Sequence, residues 1–295
     1  MAGGVSSPVS LMSNPPDEVT PVKAPALVAL VAGVVLSGLV TAALWQSREK
    51  TRRDEVQRIA QDRVDVIRGQ VLRSMEVLHG VAALFAAKPD ISREEFAKFV
   101  GASLDRQPEL QALAWDPRVT DAERTAWEEK ARTDGFPGFV FTEEESEGHR
   151  VPAGRRDIYY PVYYLESLRK NAPAFGFDVG SEPRRRLALV RARDTGEPIA
   201  TAPIRLAQEQ ASQQGFIVFQ PVYHGPAETV AERNASLTGF ATAVFRIGDL
   251  IELTLGRRSG NPVALTVFDQ EDGSQLYRQD GPRIGSVPAW ETPLD

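Results

Sequence analysis

The chain has 295 residues, 42% of them hydrophobic and 25% charged, enough for one or two globular units of ordinary composition. A formal charge of −6 with both signs interspersed provides no electrostatic footprint for nucleic acid, and no nucleic-acid partner is expected. The absence of cysteine excludes a disulfide framework and a thiolate metal site, and leaves the compartment open.

Residues 1–23 are rich in Ser, Pro and Gly without apolar periodicity and read as a disordered tail, assigned to the cytoplasmic side. Ala24 to Trp45 then carries no charge. As a helix this run covers about 33 Å, enough for a bilayer core, with Trp45 where an interfacial aromatic would sit. A buried core helix and a cleaved signal peptide pass the same first test. The run is longer than a signal h-region and lacks a basic n-region, so a retained transmembrane helix over 24–45 is the expectation. Residues 46–88 follow as a stalk helix. Val64, Ile67, Val71, Leu78, Val81 and Phe85, with Ser74 in the remaining seam position, alternate by three and four. That seam fits a homodimeric coiled coil or an amphipathic helix lying on its own domain, and dimerisation through the stalk is the expectation.

Ser92 with Glu95 is a capping-box signature opening a short helix that Pro108 ends, and Leu110 to Trp115 reads as a buried strand. Thr120 with Glu123 predicts a second box and a helix stopping at Gly135. Phe139–Thr142 and Asp157–Tyr164 read as strands flanking an acidic, mobile loop at Glu143–Gly148. Ser181 and Pro183 open a helix carrying Leu187, Leu189 and Val190 and ending at Thr195-Gly196. Phe216–Tyr223 is a strand, and 224–236 a linker. Thr238–Phe245 is a strand, Asp249–Leu255 a helix, and Val263–Tyr277 a hairpin turning at Asp272-Gly273. Short antiparallel strands with interspersed helices make an α+β unit.

The strings from Tyr159 to Tyr223 — YYPVYYLESL, RRRLALVRARDTGEPIATAPIRL and GFIVFQPVY — resemble the core of the CHASE domain. Phe136 to Glu143 and Gly239 to Glu252 fit the same pattern, so the resemblance covers about two thirds of the chain. CHASE modules are extracytoplasmic sensors of receptor histidine kinases and nucleotide cyclases. The resemblance implies a long stalk helix carrying tandem PAS-like domains with antiparallel sheets. The membrane-distal one is placed at 89–230 and the membrane-proximal one at 231–295. The latter looks truncated, since family members continue into further strands, a second span and an output domain. Arg48, Lys50, Arg52 and Arg53 follow the apolar run, so charge counting alone puts the C-terminal side in the cytoplasm. The resemblance puts it outside, in an inner or plasma membrane with a periplasmic or extracellular sensor, and that orientation is adopted here.

Catalytic chemistry has little support, and this chain is not expected to be an enzyme. A histidine kinase or diguanylate cyclase output would lie elsewhere in the full-length protein. His79, His149 and His224 lack metal-ligand spacing, and no nucleophile elbow or phosphate-cradling loop appears. Neither metal nor cofactor is expected. Glu143, Glu144 and Glu145 read as a solvated loop rather than an acid/base pair, and Arg184, Arg185 and Arg186 as an anion site or the wet face of a helix. In plant members, which recognise adenine-type cytokinins, an Asp lies thirteen residues before the Arg-Ala-Arg helix end, and Asp178 has that spacing from Arg191. The resemblance makes Asp178 a candidate anchor for a small, N–H-rich, adenine-type ligand; the alternative is a carboxylate that caps or braces the next helix. Ala200 and Gln210 match further plant pocket positions within a residue or two, and Thr195, Thr201 and Arg205 are additional polar candidates. Phe175, Phe177, Phe216 and Phe219 lie beside them as pocket lining or as core. The leading function is a small-molecule-sensing input region that signals through a dimeric stalk. The alternative is a protein-interaction or structural ectodomain whose pocket is filled by its own side chains.

Overall fold

The computed structural model describes residues 24–146, 148–206, 214–256, 264–270 and 273–279. The chain forms two units divided between Val56 and Gln57, inside the first helix, α1 (Ala24–Ala87). In the first unit the apolar run is solvent-exposed throughout, Leu27, Leu30, Val34 and Leu44 included, and the helix is long and apolar enough to cross a membrane.

The second unit is a mixed helix and sheet structure. After α1 come α2 (Arg93–Arg106), β1 (Leu110–Pro117), β2 (Val119–Thr120), α3 (Arg124–Thr133), β3 (Thr142–Ser146) and β4 (His149–Pro152). Then follow β5 (Ile158–Tyr159), β6 (Tyr164–Glu166), α4 (Leu168–Asn171), two short 3-10 turns, α5 (Pro183–Thr195), β7 (Ile199–Ala200) and β8 (Ile204–Arg205). The remainder is β9 (Gln214–Tyr223), α6 (Val230–Ser236), β10 (Leu237–Arg246), α7 (Ile247–Leu255), β11 (Leu265–Phe268) and β12 (Gln275–Gln279). The main sheet is antiparallel in the order β6-β1-β10-β9-β7, with β8 also paired to β9.

Local signals explain most boundaries. Ser92 and Glu95 form the reciprocal capping box at α2. Pro183 occupies the first turn of α5, whose end is a left-handed Gly196. At α3 only part of the predicted box forms. Glu123 accepts from the Thr120 N–H, but the Thr120 hydroxyl donates to Glu123 instead of capping, and the helix starts at Arg124. The segment expected as a linker carries a capping box of its own, Thr229 with Glu232, and forms α6.

Three expectations change. The expected domain division at 230/231 falls ahead of β10, yet β10 is hydrogen-bonded to β1 on one side and β9 on the other. A strand paired on both edges belongs to that sheet, so the sheet extends to residue 246. The acidic loop at 143–148 is a hairpin of β3 and β4, because Glu143 is ion-paired with Arg156 and accepts from the Gly154 N–H, while Glu144 accepts from the Gly148 N–H. The stalk seam is turned inward: Ile67, Leu78, Val81 and Phe85 are buried in their own unit, and Ser74 bonds to Gln107 and Glu109. From Ile67 onward that seam is not open to a second chain. Of the hairpin turn predicted after α7, Gly273 is described, with a positive φ, and Asp272 lies outside the described residues.

Alternation along the strands separates two cores. Leu113 and Trp115 of β1, Ala243 and Phe245 of β10 and Val218 of β9 face α1 and α2. There Trp115 stacks on Phe85 at 4.0 Å and the Tyr164 hydroxyl donates to the Ile91 carbonyl. Ala112 and Ala114, Val244, and Ile217 and Phe219 face α5 on the other side. Of the aromatics considered in the sequence, Phe216 stacks on Phe245 in the first core and Phe219 is buried in the second.

Candidate functional site

The α5 face of the sheet encloses a cavity of about 30 Å³. Its floor is set by register. Ala112 faces Val244 across the β1–β10 ladder and Ala114 faces Thr242, so two alanines and a threonine stand where larger residues would fill the space. Ile217 and Leu165 extend the floor on either side. The roof is built by the segment from Asn171 to Val179 and by α5, which contributes Arg185, and Leu206 closes the end near β8. That volume holds a water or two, and a larger guest requires the roof to move.

Among the described residues, three polar side chains line it: Asn171, Arg185 and Thr242. Asn171 is engaged with its surroundings, donating to the carbonyls of Ser167 and Gln111 and accepting from the Gln111 amide. Arg185 is buried, and its guanidinium lies 4.8 Å from the Phe177 ring centroid. The Arg150 guanidinium of β4 lies 4.7 Å from the same ring, so Phe177 carries two cations. Burial, reinforced by the charge of Arg185, lowers the Arg150 pKa to about 10. Burial also lowers that of Arg185.

Thr242 leads to a group the sequence reading missed. Its hydroxyl donates at 2.6 Å to Oδ2 of Asp116, the position after Ala112 and Ala114 on the same face of β1. Asp116 is fully buried and its Oδ1 has no hydrogen-bond partner among the described residues. Burial pushes its pKa up to about 8 against the opposing effects of the Thr242 hydrogen bond and Arg185. The available signal was a lone carboxylate at the end of the apolar run LQALAWD, two residues past Ala114; the strand was placed as ending at Trp115.

Asp178 is also fully buried but already engaged. One oxygen accepts from the backbone N–H groups of Tyr160 and Gly180, and the other pairs with Arg156 at 3.0 Å. It caps the 3-10 turn ahead of α5 and ties β5 to that turn. Burial raises its pKa against those bonds. It does not line the cavity, although its neighbours Phe177 and Val179 do.

The other candidates are dispersed. Thr195 sits at the exposed end of α5 with its hydroxyl donating to the Arg191 carbonyl. Ala200 is exposed in β7. Thr201 is buried and exchanges hydrogen bonds with Ile217. Arg205 pairs through its backbone with Gln214, and Gln210 lies outside the described residues. Thr201 thus bonds to Ile217 of the cavity wall without lining it itself, and Arg205 precedes Leu206 in the chain.

Known proteins resemble this chain along most of its length. It is 27% identical over 88% of its residues to the hybrid signal transduction histidine kinase A of Dictyostelium discoideum. It is also 27% identical over 91% of its residues to the probable histidine kinase 4 of Oryza sativa subsp. japonica. The chain spans 12% and 27%, respectively, of the length of these two relatives. Among solved structures, the ligand-binding domain of the Pseudomonas aeruginosa PAO1 amino acid chemoreceptor PctC in complex with GABA aligns with a TM-score of 0.46 and 14% identity, over 77% of this chain and 75% of that one. The CHASE domain family matches residues 89–277, which takes in α2, the whole main sheet, the cavity and both buried aspartates. The chain belongs to the CHASE domain family.

Proposed function

We propose that the chain is the extracytoplasmic sensing region of a transmembrane signalling receptor, with a small organic ligand in the cavity on the α5 face. The observation that carries this reading is a void floored by alanines and bordered by buried Arg185 and by Thr242, which bonds to Asp116, inside the family-matched region. Mostly apolar walls with a few buried polar groups suit a small molecule. The full-length protein would carry a histidine kinase or diguanylate cyclase output. The unit around the main sheet corresponds to the membrane-distal PAS-like domain, and the chain beyond α7 to the start of a proximal one. The apolar part of α1 spans the membrane with the sheet outside. Ligand binding shifts two arrangements of a homodimer, whose contacts lie on stalk surfaces other than the inward seam. An adenine-type ligand, suggested by the plant relatives, would reach Asp178 only by exchanging its bonds to Arg156, Tyr160 or Gly180. Thr195, Ala200, Thr201, Arg205 and Gln210 belong to the same proposed ligand region.

A thermal-shift screen of the full chain in detergent micelles, against adenine derivatives, amino acids, carboxylates and polyamines, tests the sensor reading. A saturable rise in melting temperature that Ala114→Leu removes supports it. No stabilisation by any compound in a cooperatively folded protein favours the structural or interaction ectodomain instead, with the roof side chains as permanent filling.

A further inference from the structure

We propose a second binding site at the β6 edge of the sheet, on the α2 face. There a box of four aromatic rings takes a small organic quaternary ammonium ion in place of the Arg93 side chain that fills it. The rings are Phe136, Tyr164, Phe175 and Tyr163, with centroids 4.6, 4.8, 5.0 and 5.6 Å from the Arg93 guanidinium carbon. The site does not depend on the cavity holding a ligand, although Phe175 belongs to the segment that roofs that cavity and packs against both cores.

The walls of the box favour a cation. Aromatic faces attract positive charge, and Asp134 and Glu166 add negative charge nearby. What it lacks, among the described residues, is a hydrogen-bond acceptor. Nε, Nη1 and Nη2 of Arg93 are all buried, and none has a hydrogen-bond partner there. The two tyrosine hydroxyls are committed elsewhere, Tyr163 donating to the Trp127 carbonyl and Tyr164 to that of Ile91. A guanidinium carries five N–H donors, which water satisfies and this box does not. The box therefore suits the charge of Arg93 and not its hydrogen bonding. A quaternary ammonium has the charge and no N–H, so burial there leaves no donor unmet. Exchanging one cation for another keeps Asp134 and Glu166 balanced, while the released guanidinium regains its hydrogen bonds in water. The way out is short: Arg93 is the first residue of α2 and partly exposed, and Phe136 and Phe175 are half-buried. Carboxylates meet Asp134 and Glu166 and are repelled.

The test is a calorimetric titration of the full chain in detergent micelles at constant ionic strength. The probes are choline chloride and the neutral alcohol in which carbon replaces the choline nitrogen. Choline is expected to bind the wild type saturably, and the neutral alcohol about tenfold more weakly. In Arg93→Ala the resident competitor is gone, and choline affinity should rise about tenfold, whereas a purely structural clamp predicts no binding to that variant. Phe136→Ala should weaken choline about fivefold, and Ala114→Leu should leave it unchanged. No binding to the wild type, equal binding of the neutral alcohol, no rise in Arg93→Ala, or binding that Phe136→Ala leaves intact overturns the assignment. A choline signal abolished by Ala114→Leu places the ion in the cavity, which sinks the box and leaves the sensor reading standing. Should Arg93→Ala fail to fold, the neutral alcohol and Phe136→Ala still decide the matter.

Discussion

The two faces of one sheet are built to different rules. Toward α1 and α2 the strands present Leu113, Trp115, Val218 and Phe245, which pack against Phe85, Phe96 and Tyr164. Toward α5 the alternate positions of the same strands include Ala112, Ala114, Asp116 and Thr242 beside Val244, Ile217 and Phe219, against Ala188 and Ala192 of the helix. The first face gains the full transfer free energy of large side chains in dense packing. The second keeps a void, a buried carboxyl and a buried guanidinium, each of which costs stability. Stability is concentrated on one side and chemistry on the other, only one residue apart along β1.

The sharpest test of that contrast removes the large packing group. Trp115→Ala should destabilise the protein by about 3–5 kcal/mol, measured by denaturant unfolding of the full chain. If the loss is below about 1 kcal/mol, the α1 face is not the sealed one. Next in size is Asp178→Ala, which leaves two backbone N–H groups without their acceptor, takes from Arg156 one of its two carboxylate partners, and should cost roughly 2–4 kcal/mol. An unchanged melting temperature would show that the brace contributes nothing. Asp116→Asn should act through pH. The folded protein holds the Asp116 proton up to about pH 8, whereas the unfolded chain releases it near the ordinary carboxylate value of about 3.9. Its contribution is therefore complete below pH 4 and lost as pH rises toward 8, at most about 1.4 kcal/mol per pH unit. Stability curves of wild type and Asp116→Asn should diverge across that window and run parallel above it; curves parallel throughout would mean Asp116 is ionised in the fold. The smallest effect belongs to Leu187→Ser, on the exposed side of α5, which should stay within about 0.5 kcal/mol.

Much of the fold was legible because its signals are local. The Ser92 box, Pro183 with Gly196, and the β-rich runs at 110 and 216 each specify an element within a few residues. What failed depended on distant partners. Of the apolar residues carried by α5, Leu189 is buried while Leu187 and Val190 are exposed, and the helix also buries Arg185, Ala188 and Ala192. The charge of Arg185 obscured its position because Phe177, which it stacks on, comes from another segment. The stalk seam was read correctly as apolar, yet periodicity cannot say whether a second chain or β1 and α2 will cover it. Asp178 was singled out by spacing, and its commitment to Arg156 and Tyr160 is a fact of tertiary structure alone. Asp116 escaped notice because a single acid after an apolar run resembles any strand end.

The central place of β10 also bears on how the protein is made. Leu110 is registered against Phe245 and Ala114 against Thr242, pairs that are well over a hundred residues apart in the chain. A chain synthesised from its N-terminus has β1 available long before, and β9 shortly before, the strand that must lie between them. Until residue 246 has emerged, the cavity has no complete floor and both neighbouring strands have an open edge. Long-range closure of this kind is slow, and exposed strand edges invite mispairing. The α5 face is therefore among the last parts of the unit to exist, and nascent chains ending before β10 should be the ones that most need a chaperone.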